Sequence, residues 1–545
     1  MNAAGSTATE PAATPATKAR PGPMAPFRHR AFTLLWVATV ASNIGTWMHD
    51  IGAGWLMTEL APSPVMVSAV QAATTLPIFL FALLAGAVAD IVDRRRLLVW
   101  VNAAMGVAAL AMALLVHGGL MTPWLLLIFT FLFGTGTAFI APAWQAIVPK
   151  LVPRQDLSAA IALNSMGINV SRAIGPALAG FLIVAAGIAV PFVVNAVSVV
   201  GIVAALLWWR PAAPAAATLP PEGVGTAIVA GLRYAANSPA LRATLVRAAA
   251  FFAFASAFWA MLPLVARDVL AGGPTLYGLM LAAVGLGAVG GALVLPRIKA
   301  RLGADGTVAA GTAGTALVMV LIATVPSQAV ALAGSALAGL SWIAVLSSLN
   351  VSAQTALPDW VRARGLSVFL TVFFGSMSLG SLAWGQVAAI WGLPVALIAA
   401  ALGALALLPL TRGARLQQGA ALDLAPSMHW PEPVLAGRTP PDGPVMVQVI
   451  YAVAEGEQAA FLARMQALAG SRRRGGGFRW SLMRDAADPE RFVESWWEAS
   501  WLDHQRQHQR VSRDDAALQA EIQTLQKNGQ APGVRHLVST PPATA

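Results

Sequence analysis

From about residue 31 to residue 410 the chain alternates between long apolar runs and short polar breaks. A helix needs about 20 apolar residues to cross the hydrocarbon of a bilayer. A helix also satisfies its own backbone polar groups where no water is available. The runs therefore predict about twelve transmembrane helices. They begin near Phe32, Met66, Leu97, Pro123, Ala159, Pro191, Leu241, Tyr277, Gly306, Ala329, Leu366 and Leu393.

Beyond residue 412 the pattern changes. A Pro-rich linker leads into residues 445–453, which alternate and are rich in valine, as a strand does. Residues 455–469 have helical periodicity. Residues 477–484 and 491–499 read as two strands, with Asp488 and Pro489 turning between them. Residues 501–526 read as one helix and 534–539 as a last strand. Strand–helix–strand–strand–helix–strand is a ferredoxin-like order. The expected fold class is an all-α membrane protein, with a small C-terminal α+β ferredoxin-like domain.

Composition agrees. The 545 residues are 57% hydrophobic and only 11% charged, with a mean hydropathy of +0.67. A soluble domain carries roughly 25% charged residues. A soluble enzyme is excluded for most of the chain, and so is disorder, which needs low hydrophobicity. Without cysteine there is no disulfide, Cys-ligated zinc, iron–sulfur cluster or thiol catalysis.

The net charge of +11 would point to nucleic acid on a soluble protein. Here its placement tells otherwise. One alternating set of loops carries Arg94, Arg95 and Arg96, Lys150 and Arg154, Arg210, Arg297, Lys299 and Arg301, Arg362 and Arg364, and Arg412 and Arg415. The other set carries almost no cations, apart from Arg267 beside Asp268. This asymmetry puts the first set and both termini in the cytoplasm, with no nucleic-acid partner. Trp47, Trp100, Trp124, Trp208, Trp209 and Trp360 are expected at span ends, as interfacial aromatics.

Residues 1–26, rich in Ala, Thr and Pro, lack the apolar core of a signal peptide and read as a disordered cytoplasmic tail. An Ala/Pro-rich stretch at 211–221 opens a central linker (211–240) between two six-helix halves, 27–210 and 241–412. Residues 222–237 within it form an amphipathic pattern, with Val224, Ile228 and Leu232 on one side, expected to lie at the cytoplasmic surface. Two halves of six imply a duplication with alternating access. The linker 413–443 then leads to the C-terminal domain, 444–545.

Two motifs carry a family resemblance. After the second span the chain reads Gly86-Ala-Val-Ala-Asp90-Ile-Val-Asp93-Arg94-Arg95-Arg96. This resembles the cytoplasmic loop signature of the major facilitator superfamily, with Ile91 and Asp93 departing from it. In that family Gly86, Asp90, Arg94 and Arg95 would form a gating motif that latches the two halves; otherwise the cations only set topology. In the fifth span, Gly175-Pro176-Ala-Leu-Ala-Gly180 looks like the antiporter motif of drug/proton exporters. Its small residues let a neighbouring helix approach, and Pro176 bends the helix. With Asn43 to Met48 and Ala141 to Gln145, the pattern resembles the enterobactin-exporter-like, transmembrane secretion effector branch. The resemblance implies a proton-coupled exporter of a siderophore, drug-like or amphiphilic molecule across the bacterial inner membrane. The C-terminal domain resembles antibiotic-biosynthesis monooxygenase-like domains, which pair as dimers.

Charged side chains inside a bilayer are functional candidates by default. Asp50, beside His49, could take up and release a proton as the cavity changes sides; alternatively it ends its helix in water. Arg172 could pair with Asp50 or an anionic substrate, or join helices through backbone carbonyls. Asn43, Asn164, Asn169, Asn195 and Gln71 supply polar lining. Phe251, Phe252, Phe254, Phe258 and Trp259 could line a pocket, but packing or lipid contact is the expectation. His504 and His508 are four apart and could share a metal; with no third ligand apparent and Gln-rich neighbours, a solvated face is expected and no metal. Trp480, Trp496, Trp497 and Trp501 could line a pocket in the sheet, but packing against the helices is the expectation. Arg472, Arg473 and Arg474 are candidates for touching an anionic leaflet. No phosphate loop, dinucleotide motif or nucleophile elbow occurs, so neither a cofactor nor catalysis is expected. The alternative is a membrane-tethered ligand sensor or oxygenase acting through the C-terminal domain.

Overall fold

A computed structural model describes residues 24–210, 224–417, 422–431, 443–527 and 532–539. The N-terminal tail up to residue 23, the Ala/Pro-rich stretch 211–221 and residues 432–442 of the second linker lie outside the described residues.

The first half consists of α1 (Arg30–Leu60), α2 (Pro64–Ile91), α3 (Arg94–His117), α4 (Pro123–Ile147), α5 (Leu157–Ala186) and α6 (Val190–Trp208). A short α7 (Val224–Asn237) leads into α8 (Pro239–Leu264), α9 (Pro274–Thr324), α10 (Gln328–Thr355), α11 (Arg362–Trp391) and α12 (Leu393–Leu410). Proline stands in the first turn of α2, α4, α6, α8, α9 and α12. There its missing N–H is one the helix would leave unpaired anyway. α5 stops where Gly187 takes φ 96°, a left-handed conformation open to glycine.

Among the described residues eleven helices are long and apolar enough to cross a membrane. One of them, α9, has 51 residues. At 1.5 Å per residue that is over twice a hydrocarbon thickness. Gly303 breaks it, with φ 67° and ψ −173°. A Cβ on Gly287 would strike the Ala336 carbonyl oxygen, and one on Gly311 would crowd Val345 and the Ser341 carbonyl oxygen. Both arms of α9, 274–302 and 304–324, thus lie against the same stretch of α10. The chain doubles back at Gly303, and the predicted start near Gly306 falls in the second arm.

The halves meet along two seams. α2 packs on α11, where Gly385 abuts Ser68 and Gly375 abuts Phe79. α5 packs on the first arm of α9. Residues 51–58 of α1, toward the loops poor in cations, are buried, and the Arg267 guanidinium donates there to the Thr58 carbonyl oxygen across the halves.

α7 departs from the expected amphipathic pattern at Leu232, while Ile228 is half-buried and the side chain of Val224 lies outside the described residues. Its buried side is Ala230, Gly231, Tyr234 and Ala235, whereas Leu232 is 47% exposed. The reason is its neighbours. Gly231 lies against Arg364 of α11, and the Tyr234 hydroxyl donates to the Ala356 carbonyl at 3.1 Å.

The C-terminal domain comprises β1 (Val445–Ala452), α13 (Gln458–Gly475), β2 (Phe478–Arg484), β3 (Arg491–Glu498), α14 (Trp501–Arg510), α15 (Arg513–Thr524) and β4 (Gly533–Val538). Its strands are ordered β2-β3-β1-β4, with every pair antiparallel. The single helix expected over 501–526 is two. Ser512 and Asp515 form a capping box that starts α15 afresh.

Nor does the arginine run touch lipid as one patch. The Arg472 guanidinium donates to Glu494 at 3.1 and 3.3 Å, both side chains being buried, and stacks over Trp496. Glu494 also accepts from Tyr451 at 2.8 Å and Trp480 at 2.9 Å. Burial, then the Glu494 charge, pushes the Tyr451 phenol well above its usual range, so it stays a donor. Arg474 reaches Asp515 at 2.8 Å and the Asn237 carbonyl at 3.5 Å. Arg473 lies over Trp480. Arg233 of α7 donates to the Gly476 carbonyl at 3.4 Å, and Arg510 sits over Trp360 at 4.3 Å. The domain is thereby docked on α7 and on the turn between α10 and α11.

Backbone with φ positive and ψ near 180° is essentially glycine-only, at a cost of about 1–3 kcal/mol for other residues. Gly303→Val is therefore expected to lower the thermal-unfolding midpoint of the detergent-solubilised protein. An unchanged midpoint would show that the reversal does not depend on glycine.

Candidate functional site: a cavity shared by the two halves

Along α1, Trp47, Asp50, Ile51 and Gly54 follow the i, i+3, i+4, i+7 spacing that places residues on one helix face. Along α2, Val67, Val70, Gln71 and Thr74 do the same. These two faces, with Arg172 of α5, form the first-half wall of a cavity of about 240 Å3. The opposite wall comes from the second half: Trp259 and Pro263 of α8, Tyr277 of α9, Trp342 of α10, and Phe373 and Met377 of α11. Trp259 and Trp342 meet edge to face at 5.0 Å, and Trp342 reaches Phe373 at 6.1 Å. The wall is aromatic and apolar, interrupted by one acid, one guanidinium and a few hydroxyls and amides.

Asp50 thus lies along the cavity in the middle of α1, not at a helix end in water. Trp47 is also mid-helix, which corrects its expected place at a span end. Trp100, Trp124 and Trp208 are exposed, and Trp209 is buried. The Arg172 guanidinium lies over the Trp47 ring at 5.5 Å, a cation–π arrangement. Its buried Nε has no hydrogen-bond partner among the described residues. No ion pair joins Arg172 to Asp50 among the described residues, although both line one cavity. The acid and the cation are each left for something else to meet.

The Gly175–Gly180 segment explains how Arg172 comes to be there. A Cβ on Gly175 would collide with Trp47 and the Ile44 carbonyl oxygen of α1. Gly180 and the Pro176 carbonyl face Gly278 of α9, and Thr275 donates to the Gly180 carbonyl at 3.3 Å. The motif lets α5 touch α1 on one side and the second half on the other. Arg172 is pinned between them.

Other predicted residues fall elsewhere. Asn43 is half-buried on α1 but does not line the cavity. The Asn169 amide donates to the Ser165 carbonyl of its own helix at 2.9 Å. Asn164 accepts from Trp144 at 3.1 Å. Asn195 is buried without a side-chain partner among the described residues, and so is His49, between Phe133 and Phe192. Of the span-seven aromatics, Phe251, Phe252 and Phe258 are buried in packing, and Trp259 lines the cavity.

The gating motif is resolved in part. Gly86 faces Ser367 of α11. Asp93 caps α3, accepting from the Arg96 amide at 2.8 Å. Arg95 donates to the Leu206 and Leu207 carbonyls, both at 2.6 Å, closing the C-terminus of α6. That contact stays within the first half. The side chain of Asp90 lies outside the described residues.

The C-terminal domain holds a second cavity, of about 660 Å3, between its sheet and α14–α15. Val447, Tyr451 and Trp496 form its floor, and His504, His508 and His536 one flank. The expected solvated histidine face is not there: His504 is buried, and β4 adds a third imidazole. Burial, with His504 and His536 alongside, holds the His508 imidazole down to about 4.

A sequence profile of the transmembrane secretion effector family matches residues 21–543. The staphyloferrin A transporter of Staphylococcus aureus is 30% identical over 141 residues, 26% of this chain and 36% of that protein. Macrolide efflux protein A of Streptococcus pyogenes is 24% identical over 151 residues, 28% of this chain and 37% of that protein. These two matches span little more than a third of the relatives' length. The multidrug efflux pump Tap of Mycobacterium tuberculosis is 26% identical over 389 residues, 69% of this chain and 91% of that protein. Among solved structures, a bacterial homologue of the human lysosomal transporter Spinster, inward-facing and occupied, superposes with a TM-score of 0.56 at 16% identity, covering 72% of this chain and 98% of that one. The nucleoside transporter NupG superposes with a TM-score of 0.53 at 14% identity, covering 71% and 99%. At such identities the structures share the fold alone, yet the profile runs through both the helical bundle and the C-terminal domain. This chain belongs to the transmembrane secretion effector family of the major facilitator superfamily.

Proposed function

We propose that the protein is a proton-coupled secondary exporter of a small amphiphilic organic molecule across the bacterial inner membrane. One observation carries the reading: an acid and a guanidinium, unpaired with each other, share an aromatic cavity built by both halves. A carboxyl group that faces first one side of the membrane and then the other can load and unload a proton. The aromatic wall offers sequence-tolerant, apolar contact to a substrate, and Arg172 offers a charge. Relatives named for a siderophore, macrolides and multiple drugs fit such a wall.

The arginine-bearing loops lie on the cytoplasmic side in this reading. The contacts of α5 with α9 and of Arg267 with Thr58 then seal the outer side. Transport would require the halves to rock apart along the Gly180–Gly278 contact while the other side closes. The bundle performs no bond chemistry. A second reading concerns the C-terminal domain, whose large cavity supports a ligand-responsive role at the linker between the halves.

Asp50→Asn is expected to abolish proton-driven export in proteoliposomes while the protein still inserts and elutes normally; transport at the parental rate would end the assignment. Because the chain has no cysteine, single cysteines report topology cleanly. Gly119→Cys should react with an impermeant maleimide on intact cells, and Ala414→Cys only after permeabilisation. The reverse pattern would invert the orientation. Removal of residues 444–545 should leave substantial transport, and its complete loss would favour the sensor or enzyme reading.

A further inference from the structure

The histidine cluster of the C-terminal domain has the form of a metal site. His504 and His508 lie one turn apart on α14, so their rings meet on one face, edge to face at 4.7 Å. Their Nε2 atoms are 3.2 Å apart. Two imidazole nitrogens bound tetrahedrally to one zinc at about 2.0–2.1 Å are separated by roughly 3.4 Å. His536 comes from β4, paired with Val447 of β1, and its ring lies 4.6 Å from that of His504. One ligand nitrogen from each of the three falls within 4.8 Å of the others.

The surroundings fix the nitrogen that faces inward. His504 Nδ1 lies 2.8 Å from Glu498 Oε2, and the other oxygen of that carboxylate accepts from Trp496 Nε1 at 2.8 Å. A carboxylate only accepts, so the Nδ1 side donates to Glu498 and Nε2 is the nitrogen left to face the other two rings. A carboxylate behind a histidine that aims its free nitrogen at two others is the outer-shell pattern of a bound metal. Three protein ligands leave one position open, as in reactive rather than purely structural zinc sites. Here all three histidines line the 660 Å3 cavity.

We propose that His504, His508 and His536 bind one divalent transition metal of the zinc class. Its remaining coordination position takes an oxygen or nitrogen donor from a ligand in the cavity. The site is independent of the transport cavity and of whether the bundle moves protons. Imidazole suits zinc, copper, iron and nickel, so ligand type alone does not choose among them.

The test uses the full-length protein in detergent, carrying an affinity tag without histidine, stripped with a chelator and titrated with Zn2+ and with Co2+. One ion per chain is expected, with tetrahedral visible bands for Co2+. His536→Gln and His508→Gln should remove stoichiometric binding, and Glu498→Gln should weaken it by about 10–100-fold. His429→Gln is the internal control. His429 also lines the cavity but is held by Ser427 and Gln519, so this variant should bind as the parent does. His536 sits on the edge strand, and its variant should keep the parental elution profile and circular dichroism. Substoichiometric binding by the parent overturns the site. So does binding that survives in a folded His536→Gln protein, or binding lost equally in the His429 control.

Discussion

In hydrocarbon no hydrophobic force presses one helix onto another, so association depends on how closely backbones can approach. That constraint runs through the whole bundle. Gly180 and Gly278 let α5 and α9 touch across the halves, Gly287 and Gly339 do so for α9 and α10, and Gly375 and Gly385 for α11 and α2. Each is a position where a methyl group would strike backbone, a ring or, at Gly385, the Ser68 hydroxyl. The cavity exists because these contacts hold two walls at a set distance. The seam at Gly180 is made of small residues and one hydrogen bond from Thr275, a contact that can open without stranding a buried charge.

Much of this was legible in the sequence because lipid imposes simple rules. Span positions followed from run length, and the separate starts expected near Tyr277 and Gly306 fall in the two arms of α9. The βαββαβ order followed from a shift from helical to alternating periodicity. Asp50 and Arg172 stood out because charge in an apolar run is rare. Partners were harder. Trp47 reads as an interfacial aromatic, and only the approach of Gly175 places it beneath Arg172. Tyr277, Trp342 and Phe373 line the cavity, but an aromatic in an apolar helix carries no mark separating lining from packing. Arg95 matched a gating motif, yet the nearest free carbonyls belong to α6. His536 was invisible beside His504 and His508 because strand pairing with β1 brings it from 28 positions along the chain.

The C-terminal domain shows how the same residue type serves opposite ends. Arg472 is spent inside, neutralising Glu494 beneath the sheet. Two residues later Arg474 faces out and joins α7. Helical rotation between positions i and i+2 separates these fates. A run of three arginines therefore reads as one charged patch in sequence and as three separate contacts in the fold.

The docking of that domain on α7 has an evolutionary corollary. Arg233 and Arg474 each reach a main-chain oxygen, of Gly476 and Asn237 respectively. A carbonyl at a helix end is present whatever residue bears it. Substituting Asn237 leaves its oxygen in place, whereas Gly476 sits at φ 135°, where any other residue is strained, and inserting or deleting a single residue rotates either oxygen away. Lineages carrying this architecture should thus drift freely in amino-acid identity at position 237 while keeping glycine at 476 and holding the lengths of α7 and α13 constant.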